Sequence, residues 1–285
     1  MSLNQMIPTE WALRLLTNLN DAHVYAPLLN RDYEGQIKAK GDTVKINSIG
    51  RVAITAYTKN GALSAPETLD DGQLMLAITE AQSFNFEIDD IDKRQQQPKM
   101  MDEAMQEAAW GLSDVADTFL ATMLEAGVAT AAPDNTLSAA GAVGTGASDD
   151  DAYELLVDLG VLLDESNVPG SGRWVVIPPW YHGALLKDPR FVSFGTDANR
   201  SLLRNGQIGE AAGFTVAKSN NVPVSGSAFT VIAGYRGAAT YAEQINDPEG
   251  YRPELSFSDA MKGLHLYGAK VTRPYALASV VATAA

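Results

Sequence analysis

Cysteine is absent from the 285-residue chain, and histidine and tryptophan are rare, with three and four copies. The absence of cysteine excludes a disulfide framework, thiolate catalysis and cysteine-based zinc sites. Acidic residues outnumber basic residues by 35 to 21, which gives a formal net charge of −14. An acidic surface repels phosphate backbones, so the composition disfavours tight binding to nucleic acid.

Long apolar runs are also missing. No window approaches the roughly 18 apolar residues that cross a bilayer, and the N-terminus lacks the basic patch and apolar stretch of a signal peptide. Hydrophobic residues make up 46% of the chain and charged residues 20%, which are ordinary globular values. We therefore expect a soluble cytoplasmic protein with a sizeable core and no membrane partner.

Recognisable catalytic motifs do not occur. The histidines stand singly, which is typical of surface or packing residues: His23, His182 and His265. The chain contains no phosphate-binding loop and no nucleophile elbow. The acidic run Asp149–Asp151 precedes a helical pattern, where it complements the positive end of the helix dipole better than it suggests a metal site. The sequence therefore predicts no catalytic residue, no cofactor and no metal.

Periodicity indicates two long helices separated by β-rich sequence. An apolar stripe that includes Trp11 predicts a helix from Ile7 to Leu29, and alternation between Val44 and Ile88 predicts a long hairpin. Its tip is Thr58-Lys59-Asn60-Gly61, a strong turn signal. A second helix from Pro98 to about Glu125 carries an apolar row of Met101, Met105, Ala108, Leu112, Val115, Phe119 and Met123.

The second half of the chain mixes short helices and strands. Thr130 to Ser148 is rich in small residues and is interpreted as a flexible connection. A helix is predicted from the acidic run at 149–151 to about Asp164, and another from Trp180 to Lys187. Strands are predicted at 173–177, 214–217, 229–234, 264–271 and 275–281.

The ribbon and the long helix together suggest that the chain is incomplete as a monomer. A two-stranded ribbon is marginally stable in water by itself, and a long helix needs cover on more than one face. Neighbouring copies are one source of that cover, and a sheet of the same chain is another.

Three segments resemble parts of the major capsid (coat) proteins of tailed bacteriophages: Gly206–Pro223, Gly234–Ala238 and Gly268–Pro274. The resemblance extends over nearly the whole chain and implies an α+β fold that encapsulins share. It divides the chain into an N-terminal arm (1–32), an extended β-loop (33–88), a spine helix in a peripheral domain (89–128), a flexible connection (129–147), an axial domain (148–250) and return strands of the peripheral domain (251–285).

The resemblance implies a structural protein and not an enzyme. Copies would form hexamers and pentamers that close into an icosahedral shell around double-stranded DNA, which they contact weakly. Assembly would take place in the host cytoplasm, with a separate scaffolding protein, a portal and a cement protein as further partners. Trp11, Lys59, Asn60 and Gly61 would lie at subunit interfaces. Some relatives cross-link a loop lysine to an asparagine of the peripheral domain. Residues 251–285 contain no asparagine, so we do not expect this cross-link here.

Two other functions stay open at this point. An encapsulin-like compartment would use the same fold to hold cargo enzymes. A small-molecule enzyme would need a site assembled from dispersed residues such as His182, Asp188 and Arg190, which show no catalytic spacing.

Overall fold

The computed structural model describes residues 23–33, 43–49, 71–89, 100–130, 134–144, 149–188, 209–254 and 258–285. Within these ranges the chain forms three α-helices: α1 (Met100–Ala126), α2 (Ala152–Glu165) and α3 (Pro179–Lys187). It also forms thirteen strands: β1 (Thr43–Ile49), β2 (Asp71–Ala77), β3 (Glu80–Asp89), β4 (Thr136–Gly144), β5 (Asp150–Asp151), β6 (Arg173–Ile177), β7 (Glu210–Ala211), β8 (Phe214–Lys218), β9 (Val224–Ser225), β10 (Ala228–Tyr235), β11 (Ala239–Tyr251), β12 (Ser258–Val271) and β13 (Leu277–Ala284).

An eight-stranded mixed sheet contains most of the main core. Its order is β5-β4-β13-β10-β6-β8-β7, with β9 paired to β10. All five residues of β6 are buried, as are residues 230–234 of β10, so both faces of the sheet centre are covered. Helix α2 packs on β13 and β4, and α3 packs on β4 and α2. The α+β class expected from the sequence is confirmed.

A three-stranded antiparallel sheet, β11-β12-β3, lies between α1 and a two-stranded ribbon, β1-β2. On one face, α1 contributes Met105, Ala109 and Leu112 to a cluster with Met261 of β12. On the other face, the ribbon contributes Ile46 and Leu76 to a cluster with Ala242 and Leu266, and Ile78, just after the ribbon, belongs to the same cluster. A sheet of the same chain therefore covers part of α1, which is one of the two possibilities that the sequence left open.

At Gly268 of β12, residues 77 and 78 pass very close to the backbone of this sheet. A Cβ atom built there would lie 2.4 Å from the carbonyl oxygen of Ala77 and 3.1 Å from the Cα of Ile78. These are backbone atoms that cannot move aside cheaply, so this position requires glycine. The approach holds the base of the ribbon against β12.

The structure describes the segment 206–223 from residue 209 onward. Two local structures there account for Gly213 and Asn221. Ala212 and Gly213 form the tight turn between β7 and β8, both with positive φ (50° and 80°). After β8, the side chain of Asn221 donates a 2.7 Å hydrogen bond to Asp114 on α1. The segment therefore joins the eight-stranded sheet to the long helix.

The interpretation of residues 130–148 as a flexible connection was wrong for its centre. Residues 136–144 are strand β4, which runs parallel to β13 on one side and β5 on the other. The buried Asn135 side chain holds the start of β4 by donating to the carbonyls of Tyr275 and Leu277, at 2.8 and 2.9 Å. Small side chains have low strand propensity, but pairing with β13, far along the chain, overrides it.

The predicted closing strands exist but belong to different sheets. β12 lies in the three-stranded sheet, whereas β13 lies in the middle of the eight-stranded sheet. Residues 251–285 therefore do not return as one unit to a peripheral domain, and β11, which the predicted axial range 148–250 includes, pairs with β12. Strand periodicity gives the existence of a strand but not its partner. As domain boundaries, the six ranges stay a prediction.

The long helix begins and ends close to the predicted bounds, but its buried row departs from the predicted one at four positions. Met105 and Leu112 are buried as expected, whereas Val115 is 44% exposed and Ala116 is buried in its place. Ala109, Leu120 and Leu124 are also buried, whereas Ala108, Phe119 and Met123 are half-buried. Within the described residues, no helix is long and apolar enough to cross a membrane.

The predicted N-terminal helix 7–29 falls mostly outside the described residues. Its described end contains a 3₁₀ helix, Ala26–Leu28, that packs into the main core through Tyr25, Ala26 and Leu29.

Candidate functional site

The four predicted interface residues, Trp11, Lys59, Asn60 and Gly61, lie outside the described residues. Their assignment stays a prediction. The described strands show which segment contains three of them, because Ile49 at the end of β1 pairs with Asp71 at the start of β2. Residues 50–70, which include the predicted tip, connect these two paired ends.

The β1-β2 ribbon is anchored to the rest of the described chain by a few apolar side chains. Ile46, Leu76 and Ile78 are buried against the three-stranded sheet, whereas Met75 on the opposite side of β2 is 56% exposed. Within the described ranges, β1 and β2 pair only with each other. A two-stranded ribbon gains little stability by itself, so its outer edges and its exposed face are candidates for contact with another chain.

A buried cluster of charged side chains lies where residues 23–33, α1, β11 and β12 meet. At its centre is Glu243, whose Oε2 atom accepts a 2.8 Å hydrogen bond from the Tyr241 hydroxyl and lies 3.1 Å from His265 Nε2. Its Oε1 atom accepts a 2.5 Å bond from the Arg31 guanidinium. A buried carboxylate requires this density of donors, because leaving it unpaired would cost several kcal/mol.

His23 connects this centre to the long helix. Its Nδ1 atom lies 3.2 Å from Asp117 Oδ1, and its Nε2 atom lies 3.4 Å from Glu243 Oε2. The second distance is that of an ion pair, since its geometry does not meet hydrogen-bond criteria. Asp117 also accepts from the backbone N–H groups of Val24 and Tyr25, at 2.7 and 3.4 Å.

The cluster perturbs the ionisation of its members. Burial alone would lower the pKa of His23, but the carboxylates of Asp117 and Glu243 raise it to about 9. Burial alone would raise the pKa of Glu243, but its contacts with His23 and His265 hold that pKa far below its ordinary value. Both effects favour a charged His23 beside a charged Glu243 near neutral pH.

Sequence reasoning missed this cluster. It treated the histidines as isolated surface or packing residues, and it assigned no role to Arg31, Asp117 or Glu243. The members are separated by up to 242 positions, so no local spacing indicates them. One usable signal is the antiparallel pairing of β11 with β12, which places Glu243 opposite Tyr267 and diagonal to His265 on one face.

The residues of the alternative enzyme site are not assembled into a catalytic arrangement by α3. His182 lies in the first turn of this helix and Asp188 at its C-cap, so the helix separates them by roughly 9 Å, and Arg190 lies outside the described residues. Among the described residues, no group of three or more His, Asp or Glu side chains could hold a metal ion. The acidic run acts structurally, since Asp151 caps α2 by accepting from the Tyr153 N–H at 2.9 Å.

Comparison with known families decides what kind of protein this is. The model of a family described as phage capsid protein matches residues 77–280, which is more than half of the chain. The chain belongs to the phage capsid protein family. A comparison with curated proteins finds no match for this capsid protein.

Solved structures agree with the family. The capsid protein is 30% identical to a structure from Mycobacterium phage Che8, with 90% of each chain covered and a TM-score of 0.71. It is 16% identical to the capsid of Cyanophage P-SCSP1u, with 90% of this chain and 87% of that chain covered and a TM-score of 0.68. An encapsulin complex from Synechococcus elongatus PCC 7942 gives 12% identity, 86% and 83% coverage and a TM-score of 0.53.

These matches confirm the resemblance found in the sequence and the fold that it implied. The encapsulin similarity concerns the fold alone, whereas the match to the Che8 structure also extends to the sequence. This protein is therefore a structural protein of a phage capsid shell, and its family indicates a structural role rather than a catalytic one.

Proposed function

We propose that copies of this capsid protein form hexamers and pentamers that close into an icosahedral shell around the double-stranded DNA of a tailed phage. Family membership supports a shell, and the β1-β2 ribbon is the structural observation that carries the proposal. The ribbon is anchored at a small apolar base and has no third strand within the described residues. A neighbouring copy would supply the cover that the subunit itself lacks.

The same proposal includes further partners and a place of assembly. A shell of fixed size that receives DNA requires a template and an opening, so we expect a separate scaffolding protein and a portal. A cement protein would bind the finished surface. Assembly takes place in the host cytoplasm, and the packaged DNA is contacted weakly and without sequence specificity, because the chain carries a net charge of −14.

Deletion of residues 59–63 from the ribbon connection tests the role of this segment. We expect the variant to lose closed particles in negative-stain microscopy and in sedimentation, because the segment would no longer reach a neighbouring copy. Its thermal unfolding should stay close to that of the wild type, since the deletion leaves the buried side chains at the base of the ribbon, Ile46 and Leu76, in place.

A control variant of unchanged length separates the loss of side-chain contacts from the loss of segment length. In it, glycine and serine replace residues 59–63 without shortening the chain. If the native side chains make the contact, this variant also fails to close particles. Equal particle yields from the wild type and the deletion variant would contradict the role of the ribbon. A wild-type chain that stays a 30.4 kDa monomer at every salt and protein concentration would contradict the shell itself.

A further inference from the structure

We propose that residues 23–33 are fastened to the fold by a pH-sensitive latch. In this latch, protonated His23 joins Asp117 of α1 to Glu243 of β11, and the segment loosens when His23 loses its proton or Glu243 gains one. The latch belongs to the fold of the single subunit, so it does not depend on hexamers, pentamers or DNA.

The latch depends on how many N–H groups the ring of His23 carries. Both ring nitrogens of His23 face carboxylates, Nδ1 at 3.2 Å from Asp117 and Nε2 at 3.4 Å from Glu243. A neutral imidazole has one N–H group and can present it to one of them, whereas an imidazolium presents an N–H group and its positive charge to both. The side chain of His23 is fully buried, so water cannot replace the missing donor. Deprotonation therefore leaves a buried carboxylate without a donor from His23.

The latch holds the segment at both of its ends. Asp117 binds the N–H groups of Val24 and Tyr25, which come directly after His23. Arg31 binds Glu243 at the other end. Between them, the Asn30 N–H donates to the Ala239 carbonyl at 3.2 Å, and the Asn30 carbonyl accepts from Tyr241 at 2.9 Å. A change in charge at His23 or Glu243 therefore acts on the whole segment.

Other ionisable groups surround His23 and the carboxylates of Asp117 and Glu243. They come from residues 23–33, α1, β11 and β12. Arg31 is the permanent cation on Glu243, so Glu243 keeps one charged partner when His23 is neutral, whereas Asp117 loses the charge that His23 supplies. Burial raises the pKa of Tyr241 and of Tyr25, so both hydroxyls stay protonated through the neutral range. Among the residues that the structure describes, this set is His23, Tyr25 and Arg31 from the segment, Asp117 and Glu125 from α1, Tyr241 and Glu243 from β11, and His265 from β12.

The direction of each pKa change sets the pH range in which the latch is closed. The pKa of His23 is raised from 6.5 to about 9, so its contribution is complete below about pH 6.5 and is lost as the pH rises through 9. The pKa of Glu243 is lowered from 4.5, so its contribution is present above that pH and is lost as the pH falls below it. The latch is therefore tightest between about pH 4.5 and 6.5.

Hydrogen-exchange mass spectrometry of the full chain tests the latch. Exposure times are scaled for the intrinsic exchange rate at each pH, and a peptide from β10 serves as the internal reference. We expect exchange within 23–33 to be at least tenfold faster at pH 9.5 than at pH 6.5, with no change in β10. Equal corrected rates within 23–33 at the two pH values would overturn the proposal, and so would an equal acceleration of β10.

Two variants separate the latch from general effects of pH. His23→Gln should exchange quickly at both pH values and lose the dependence between them, whereas the matched control His182→Gln, on α3, should keep the wild-type profile. Glu243→Gln tests the acidic side: exchange within 23–33 of the wild type should accelerate as the pH falls below about 4.5, and this variant should lose that acceleration. A His23→Gln protein with the wild-type profile would refute the role of His23, and the wild-type measurement decides the proposal if this variant does not fold.

Discussion

At the scale of single residues, the turn between β7 and β8 is informative because it places an alanine in a left-handed conformation. Ala212 has φ of 50°, and Gly213, the next residue, has φ of 80°. Two successive positive φ values between paired strands are typical of a type I′ turn, in which asparagine and glycine are the preferred residues. Alanine at the first position costs roughly 1 kcal/mol because its Cβ approaches the following carbonyl.

Substitutions at the two turn positions should have opposite effects. Ala212→Asn should raise the free energy of unfolding by roughly 0.5 to 1 kcal/mol, because asparagine tolerates the left-handed conformation. Gly213→Ala should lower it by roughly 1 kcal/mol through backbone strain alone, since the added Cβ meets no described residue within 4 Å apart from its neighbours in the chain. Urea denaturation of both variants beside the wild type measures the two changes.

The opposite signs are the decisive feature of this pair. Two destabilised variants would show that side-chain contacts at 212, and not the conformation of the turn, determine the stability.

At the scale of elements, α1 shows how far periodicity can define a buried face. The spacing of Met105 and Leu112 was sufficient to place both against the sheet, and the structure confirms them. Beyond Leu112 the large Val115 suggested the wrong row, because the buried position belongs to the small Ala116. A helix with 3.6 residues per turn allows steps of three or four, and the sequence does not indicate which step follows a given residue.

Two aspartate substitutions on α1 should differ strongly in effect. Met105 is 2% exposed and Val115 is 44% exposed, so Met105→Asp buries an unpaired charge while Val115→Asp does not. We expect a loss of roughly 3 kcal/mol or more for Met105→Asp and of less than about 1 kcal/mol for Val115→Asp. Thermal and chemical unfolding of the full chain measure both values. A similar loss at the two positions would mean that α1 packs in a different orientation.

Strand partners and the charge cluster lay beyond the reach of sequence reasoning for a common reason. The existence of β6, β8, β10 and β12 follows from short apolar runs or alternation and from turn residues near the strands. The neighbours of β13 in the sheet, by contrast, are β4 and β10, which lie far from it in the chain. The contact of His23 with Glu243 depends on equally distant segments. Such long-range contacts leave no local pattern that could be recognised.

At the scale of the whole molecule, the net charge of −14 limits how the shell protein can interact with its contents. An acidic subunit repels phosphates, and packaging would benefit from a wall that does not bind the DNA tightly. We expect purified subunits to bind a 30-base-pair duplex with a Kd weaker than about 100 µM at physiological salt. Fluorescence anisotropy with two unrelated duplex sequences measures this affinity. Micromolar binding, or a preference for one duplex, would contradict the expectation.

β13 lies between β4 and β10, yet it is the last of the described strands to leave the ribosome. Until it emerges, the nascent polypeptide carries two separate groups of strands with open edges, and open edges are where unfinished chains pair wrongly. Translation of β13 joins these groups. A polysome therefore carries many copies that cannot yet complete their central sheet, and each of them exposes these edges until its β13 has emerged.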